Sequence, residues 1–167
     1  MSRYLYSIDT IKYGTPTGTN TMPGSLVSLP DTVKGTVTID ETEGSYTDFF
    51  VDQAKDPVRT LKSEEGKLTA TMQFYDFNFL ALAAFKGGTA PTSGGYEKFV
   101  PATGYTDVSK ALELTLSSGQ VFNLFNAQCF ARIIGTGSRD RMCAWELKAT
   151  ALMTTDLAGS WEISEAD

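Results

Sequence analysis

Lys67-Leu68-Thr69-Ala70-Thr71-Met72-Gln73-Phe74-Tyr75 alternates without a break. Leu68, Ala70, Met72 and Phe74 fall on one face, and Lys67, Thr69, Thr71, Gln73 and Tyr75 fall on the other. Side chains of an extended chain point alternately to opposite faces, so this is the pattern of a half-buried β-strand. The same period governs much of the chain on either side. Val33 to Asp40 sets Val33, Val37 and Ile39 against Lys34, Thr36, Thr38 and Asp40. Lys110 to Leu116 alternates, Gly119-Gln120 interrupts, and Val121 to Phe125 resumes. Gln128 to Ile134 and Met142 to Thr154 read as a long hairpin joined by the turn-rich stretch 135–140. A mainly β fold follows, as a single domain over 1–167 with an arm or connector over 1–32. The 167 residues are enough for one core and few for two.

One segment departs from the period. Asp76 to Lys86, rich in Ala and Leu, reads as a short α-helix. Asp76 is placed to cap its start, Lys86 suits the negative end of its dipole, and Gly87-Gly88 stops it. Its apolar residues surround the axis, which predicts a helix covered on all sides. Phe77, Phe79, Leu82 and Phe85 are therefore candidates for a contact between subunits. Three stretches read as loops: 14–30, 41–66 with a strand near 45–51, and 89–106 around a strand at 96–100. Loops of this length in a small domain are commonly functional.

The chain carries 20 acidic and 14 basic residues, net charge −6, and no run of Lys and Arg. Tight grip on nucleic acid needs a basic patch to neutralise phosphates, and none is present. The first residues lack the apolar run of a signal peptide, and the longest apolar stretch is far short of a membrane span. Synthesis in a cytoplasm, with Cys129 and Cys143 as reduced buried thiols, is the expectation.

There is no histidine in the chain. That removes the commonest general base and metal ligand, and with it every Ser-His or Cys-His arrangement. Two cysteines without histidine do not make a zinc site. The glycine-rich stretches 14–19 and 135–138 lack the lysine and following helix that phosphate binding requires. Glu64-Glu65 and the pair Glu41 and Glu43 suit solvated surface better than a carboxylate pair. No catalytic, metal-binding or cofactor-binding residue is expected, and no cofactor.

Taken in order, several landmarks resemble the tail-tube (major tail) proteins of tailed phages, related to the inner-tube protein of type VI secretion. They are the strand Gly35 to Asp40, the acidic-aromatic stretch Glu41 to Val51 with Asp56-Pro57-Val58, Glu65-Gly66 before the strand 67–75, and the short helix with Gly87-Gly88-Thr89. Ala111-Leu112-Glu113-Leu114 and the closing Leu147 to Leu152 complete them. The resemblance implies a β-sandwich or half-barrel flanked by one helix over about 76–86. It also implies hexameric rings that stack into a tube within a virion tail. The implied partners are further copies of the chain and other tail proteins at the tube ends, with DNA passing the lumen without tight binding and with no membrane anchor. On this reading Thr36, Thr38, Asp40, Thr69, Thr71 and Gln73 are candidates for the lumen face. An outer solvent face is the other reading of the same alternation. Glu41, Glu43, Phe49, Phe50, Asp56 and Pro57 are candidates for ring stacking, with core packing of Phe49 or Phe50 as the alternative. A β-sandwich module binding a receptor or carbohydrate is the competing function, suggested by the surplus of Tyr and Trp.

Overall fold

The computed structural model describes residues 7–50, 57, 59–62, 66–93, 95–104, 106–135, 142–154 and 159–165, with Lys62 and Ser93 described by their backbone alone. In chain order the elements are β1 (Ile8–Gly14), β2 (Val27–Ser28), β3 (Thr38–Glu41), β4 (Tyr46–Phe49), β5 (Arg59–Lys62), β6 (Leu68–Phe74) and α1 (Phe79–Lys86). Then follow β7 (Gly88–Thr89), β8 (Thr92–Ser93), β9 (Tyr96–Glu97), β10 (Val100–Pro101), β11 (Val108–Leu116), β12 (Gln120–Ile134), β13 (Ala144–Ala151) and β14 (Trp161–Glu165). The fold is mainly β, with one short helix.

Eight strands form one antiparallel sheet in the order β2-β1-β11-β12-β13-β6-β3, with β14 paired to β12 off this path. The alternation of β6 does what it predicts: Leu68, Ala70, Met72 and Phe74 are buried, and Thr69, Thr71 and Gln73 are half-buried on the reverse face. In β13 the buried set is Trp145, Leu147, Ala149 and Ala151. Phe74 stacks on Trp145 with ring centroids 4.4 Å apart, and the Trp145 indole N–H donates to the Asp76 carbonyl at 2.8 Å. A buried tryptophan thus keeps its polar group satisfied.

β12 is one strand of 15 residues, where the sequence suggests two. Lys110 pairs with Ala127 but Leu112 pairs with Leu124, so β12 carries an extra residue around Phe125 and Asn126. Such a bulge flips the alternation. Phe122 and Leu124 face the core before it, and Ala127, Cys129 and Ala131 face the core after it. It also marks a change of neighbour: residues 120–124 pair with β14, and 127–134 pair with β13.

The sheet is not closed into a barrel, yet its two ends are tied. Leu29 N–H donates to the Ile11 carbonyl of β1, and Val33 N–H donates to the Gln73 carbonyl of β6, both at 2.8 Å. Only three residues lie between those donors, four steps of chain with a reach of about 14 Å at full extension. The sheet is therefore curled, with an open seam bridged by one segment. Within that segment Val33 to Val37 is not the strand that alternation predicts. Lys34-Gly35 makes a turn, Gly35 has φ +77°, and Thr36 N–H donates back to the Val33 carbonyl. Pairing of β3 with β6 begins only at Thr38.

α1 starts two residues later than expected. Asn78, and not Asp76, is its cap: the Asn78 side chain accepts from Ala81 N–H at 3.0 Å. Gly87 ends it at φ 76°, with its N–H on the Ala83 carbonyl. Ala81, Leu82 and Phe85 are buried in the core formed with the sheet, and Phe85 lies 4.8 Å from the Tyr13 ring. Desolvation there raises the Tyr13 phenol pKa above its ordinary value.

The connector after β1 packs back on the body. Gly14 is buried where a Cβ would meet Pro23, Ser25 and Leu26, and Thr154 donates to Asn20. Cys129 is buried and Cys143 exposed, which corrects the expectation that both are buried. Cys143 precedes Ala144, the partner of Ile134, so the two thiols sit at least five residues apart along the sheet, about 17 Å. That is too far for a disulfide.

Candidate functional site

The polar sides of β3, β6, β13 and β12 line up by register into one face. Asp40 lies opposite Thr69, Thr69 opposite Thr150, and Thr150 opposite Gln128. The next row runs Thr38, Thr71, Lys148, Phe130. The third holds Gln73, Glu146 and Arg132. Here the Arg132 Nε–H donates to Glu146 Oε1 at 2.6 Å, and the Gln73 amide donates to Glu146 Oε2 at 3.2 Å. Thr36 lies in no strand pairing: its hydroxyl donates to the Val33 carbonyl at 2.7 Å and accepts from the Gln73 N–H at 3.3 Å, at the end of the third row. Five of the six lumen candidates thus share one continuous surface. Its charges balance, Asp40 and Glu146 against Lys148 and Arg132. Phe130, 58% exposed in the middle of this face, is a feature that alternation alone leaves unnoticed.

The stacking candidates fall on or beside a hairpin whose strands, among the described residues, pair with each other alone. β4 and β5 form a separate two-stranded sheet in the register Tyr46–Lys62, Thr47–Leu61, Asp48–Thr60 and Phe49–Arg59. The Thr60 hydroxyl donates to Asp48 Oδ1 at 2.6 Å. Phe49 is 50% exposed and Phe50 60% exposed, so neither is spent in the core of its own chain. Tyr46 and Leu61 on the same hairpin are also exposed, and no residue pattern singles them out. Glu41, Glu43 and Pro57 are exposed nearby, and Asp56 lies outside the described residues.

The helix candidates divide. Leu82 and Phe85 are each 1% exposed, so they hold α1 to its own sheet and leave nothing for a second chain. Phe77 and Phe79 are half-buried. The apolar side chain that α1 does present to solvent is Leu80, at 68% exposure. The helix therefore has a free side, and the expectation of cover all round fails for this chain taken alone.

A cleft of about 600 Å³ opens in the seam of the curled sheet. Ile8, Val33, Val37, Ile39, Leu116 and Phe122 make its walls apolar, and among the described residues Lys34 is the one charged residue at its rim. The described Trp and Tyr side chains form no common platform. Trp145 is in the core, Trp161 stacks on Phe122, Tyr46 is on the hairpin, and Tyr96 is on the arm formed by β7 to β10.

Among the described residues no group of three or more Cys, Asp or Glu side chains is placed to hold a metal, and no helix is long and apolar enough to cross a membrane. No protein-family model matches the chain, and no curated protein matches it.

Proposed function

We propose that this chain is a non-catalytic structural subunit that assembles into rings, hexameric by the family resemblance, which stack into a hollow phage tail tube. The observation that carries this reading is the β4–β5 hairpin. It displays Tyr46, Phe49, Phe50 and Leu61 to solvent and, among the described residues, pairs with no strand of the main sheet. An isolated two-stranded hairpin is marginal in water, and grouped exposed apolar side chains mark contact surfaces. A second copy supplies the missing cover.

The edges of the main sheet support the same reading. Among the described residues β3 pairs on one side with β6 alone, and β14 with β12 alone. Unpaired edges invite strand addition, and adding the same edge from copy to copy closes a ring. The balanced polar face over β3, β6, β13 and β12 suits a lumen, because it offers DNA no net positive charge to stick to. Further tail proteins at the tube ends and a place in the virion belong to this proposal.

Size-exclusion chromatography with light scattering tests it. Assembly gives masses at multiples of the 18.1 kDa chain that grow with concentration. A strict monomer across protein and salt concentrations overturns it. In assembled particles Asp40→Lys is expected to slow DNA passage; unchanged passage moves Asp40 off the lumen.

A further inference from the structure

One line of polar side chains crosses β1, β11, β12 and β14 on the face turned away from the core. Lys12 lies opposite Glu113, Glu113 opposite Asn123, and Asn123 opposite Glu162. Their neighbours Leu112, Leu114, Phe122 and Leu124 point the other way, into the core. The Lys12 ammonium donates to Glu113 Oε1 at 3.0 Å, and the Asn123 amide donates to Glu162 Oε1 at 2.9 Å. Asn123 is only 8% exposed, and its Oδ1 is buried with no hydrogen-bond partner among the described residues. The amide nitrogen is held on the β14 side, so the oxygen turns toward β11, where Glu113 has a second carboxylate oxygen. Turning the amide over sets Oδ1 against Glu162 instead. A carboxylate accepts and does not donate, so either orientation leaves a buried acceptor beside an anion. Such an acceptor costs stability until a donor or a cation meets it.

We infer that Asn123 Oδ1, with the carboxylates of Glu113 and Glu162, forms a site for a hard divalent cation, calcium before magnesium, that pins β14 to the sheet. Neighbouring strands lie about 4.8 Å apart, so three oxygen-bearing side chains in one row converge on a single point above Asn123. Calcium takes carboxylate and amide oxygens in irregular sets at about 2.3–2.6 Å and fills the remainder with water, whereas magnesium demands a near-ideal octahedron. Lys12 occupies one oxygen of Glu113 and leaves the other to the ion. Among the described residues β14 pairs with β12 alone, so a tie from Glu162 to Glu113 reaches over β12 to hold this strand. Two carboxylates, one shared with an ammonium, make a weak site, with Kd about 10⁻⁴–10⁻³ M. The three residues meet only through long-range register, and the sequence alone leads to the opposite expectation of no metal ligand. This site does not depend on the tube reading.

Urea unfolding of the full-length chain at one protein concentration, in calcium chloride against sodium chloride of equal ionic strength, tests it. Calcium at ten times its Kd should raise the folding constant about tenfold and slow amide exchange in β14. Glu113→Gln and Glu162→Gln should each abolish the gain, and Glu97→Gln, at an exposed carboxylate of β9, should keep it. A gain equally large in sodium chloride, or one that survives in both Glu113→Gln and Glu162→Gln, overturns the site. Magnesium chloride matching calcium chloride overturns the preference for calcium. Lys12→Gln removes a competing positive charge and should lower the calcium Kd. Stabilisation by calcium that appears in Lys12→Gln alone overturns the site and makes the Lys12 ammonium the partner of Asn123.

Discussion

β6 and β4 are both short strands carrying large apolar side chains, yet they meet opposite fates. β6 lies between β13 and β3, and its apolar set is closed off by α1 and the curled sheet. Among the described residues β4 pairs with β5 alone, and all four of its residues are exposed. Apolar residues in the first stabilise the chain as a monomer. Those in the second gain nothing until another surface arrives, because burial from water is what gives an apolar side chain its contribution. On the proposed assembly, one chain therefore separates residues that fold it from residues that would join it to another copy.

Substitutions that cross this division break or sharpen the comparison. Trp145→Ala removes the largest fully buried side chain, its stacking on Phe74 and its bond to the Asp76 carbonyl. It should cost about 3–5 kcal/mol in urea unfolding. A loss below about 1 kcal/mol would mean that the core is not where stability resides. Asn78→Ala removes the cap of α1 and should cost about 1 kcal/mol. The same measurement on Asp76→Ala separates the caps, since the side chain of Asp76 has no part in capping. Phe49→Ser and Phe50→Ser should each change monomer stability by no more than about 0.5 kcal/mol, while cutting the assembled fraction sharply. Equal losses of stability and assembly would erase the distinction.

Cys129 offers a check from titration. Its thiol pKa is raised to about 12 from the ordinary 9.0, first by desolvation, with Lys110 opposing. The folded state keeps the proton that the unfolded state releases above pH 9. Stability from this group is therefore full below pH 9 and falls as pH rises toward 12. Cys129→Ala should show a shallower decline over that window in unfolding measurements. Parallel curves would place the thiol in contact with water.

The sequence made the apolar sides of β6, β11 and β13 legible, because each keeps one phase from end to end. It misled where the phase changes. The bulge near Phe125 makes one long strand look like two, and the turn at Lys34-Gly35 cuts what looks like a strand from Val33. β1 was hidden for the same reason, since its register shifts between Ile8 and Thr10. β14 carries little pattern to mark it, because only Trp161 and Ile163 define its apolar side. Asp76 and Asn78 are both able to cap, and the choice rests on a tertiary contact, the Trp145 indole on the Asp76 carbonyl. Of the candidate surfaces, the polar rows were visible as alternation, but their union across four strands depends on long-range register. The seam cleft had no signature, as its walls come from four separate stretches of chain.

The central claim is that the hairpin and the curled sheet belong to a subunit of a hollow tube. Negative-stain microscopy of the concentrated full-length protein tests it most directly. The expected result is rings or tubes with a stain-filled channel, shortened or lost in the variant carrying both Phe49→Ser and Phe50→Ser. Isolated particles of monomer size at every concentration, or solid filaments unchanged in that variant, would contradict it.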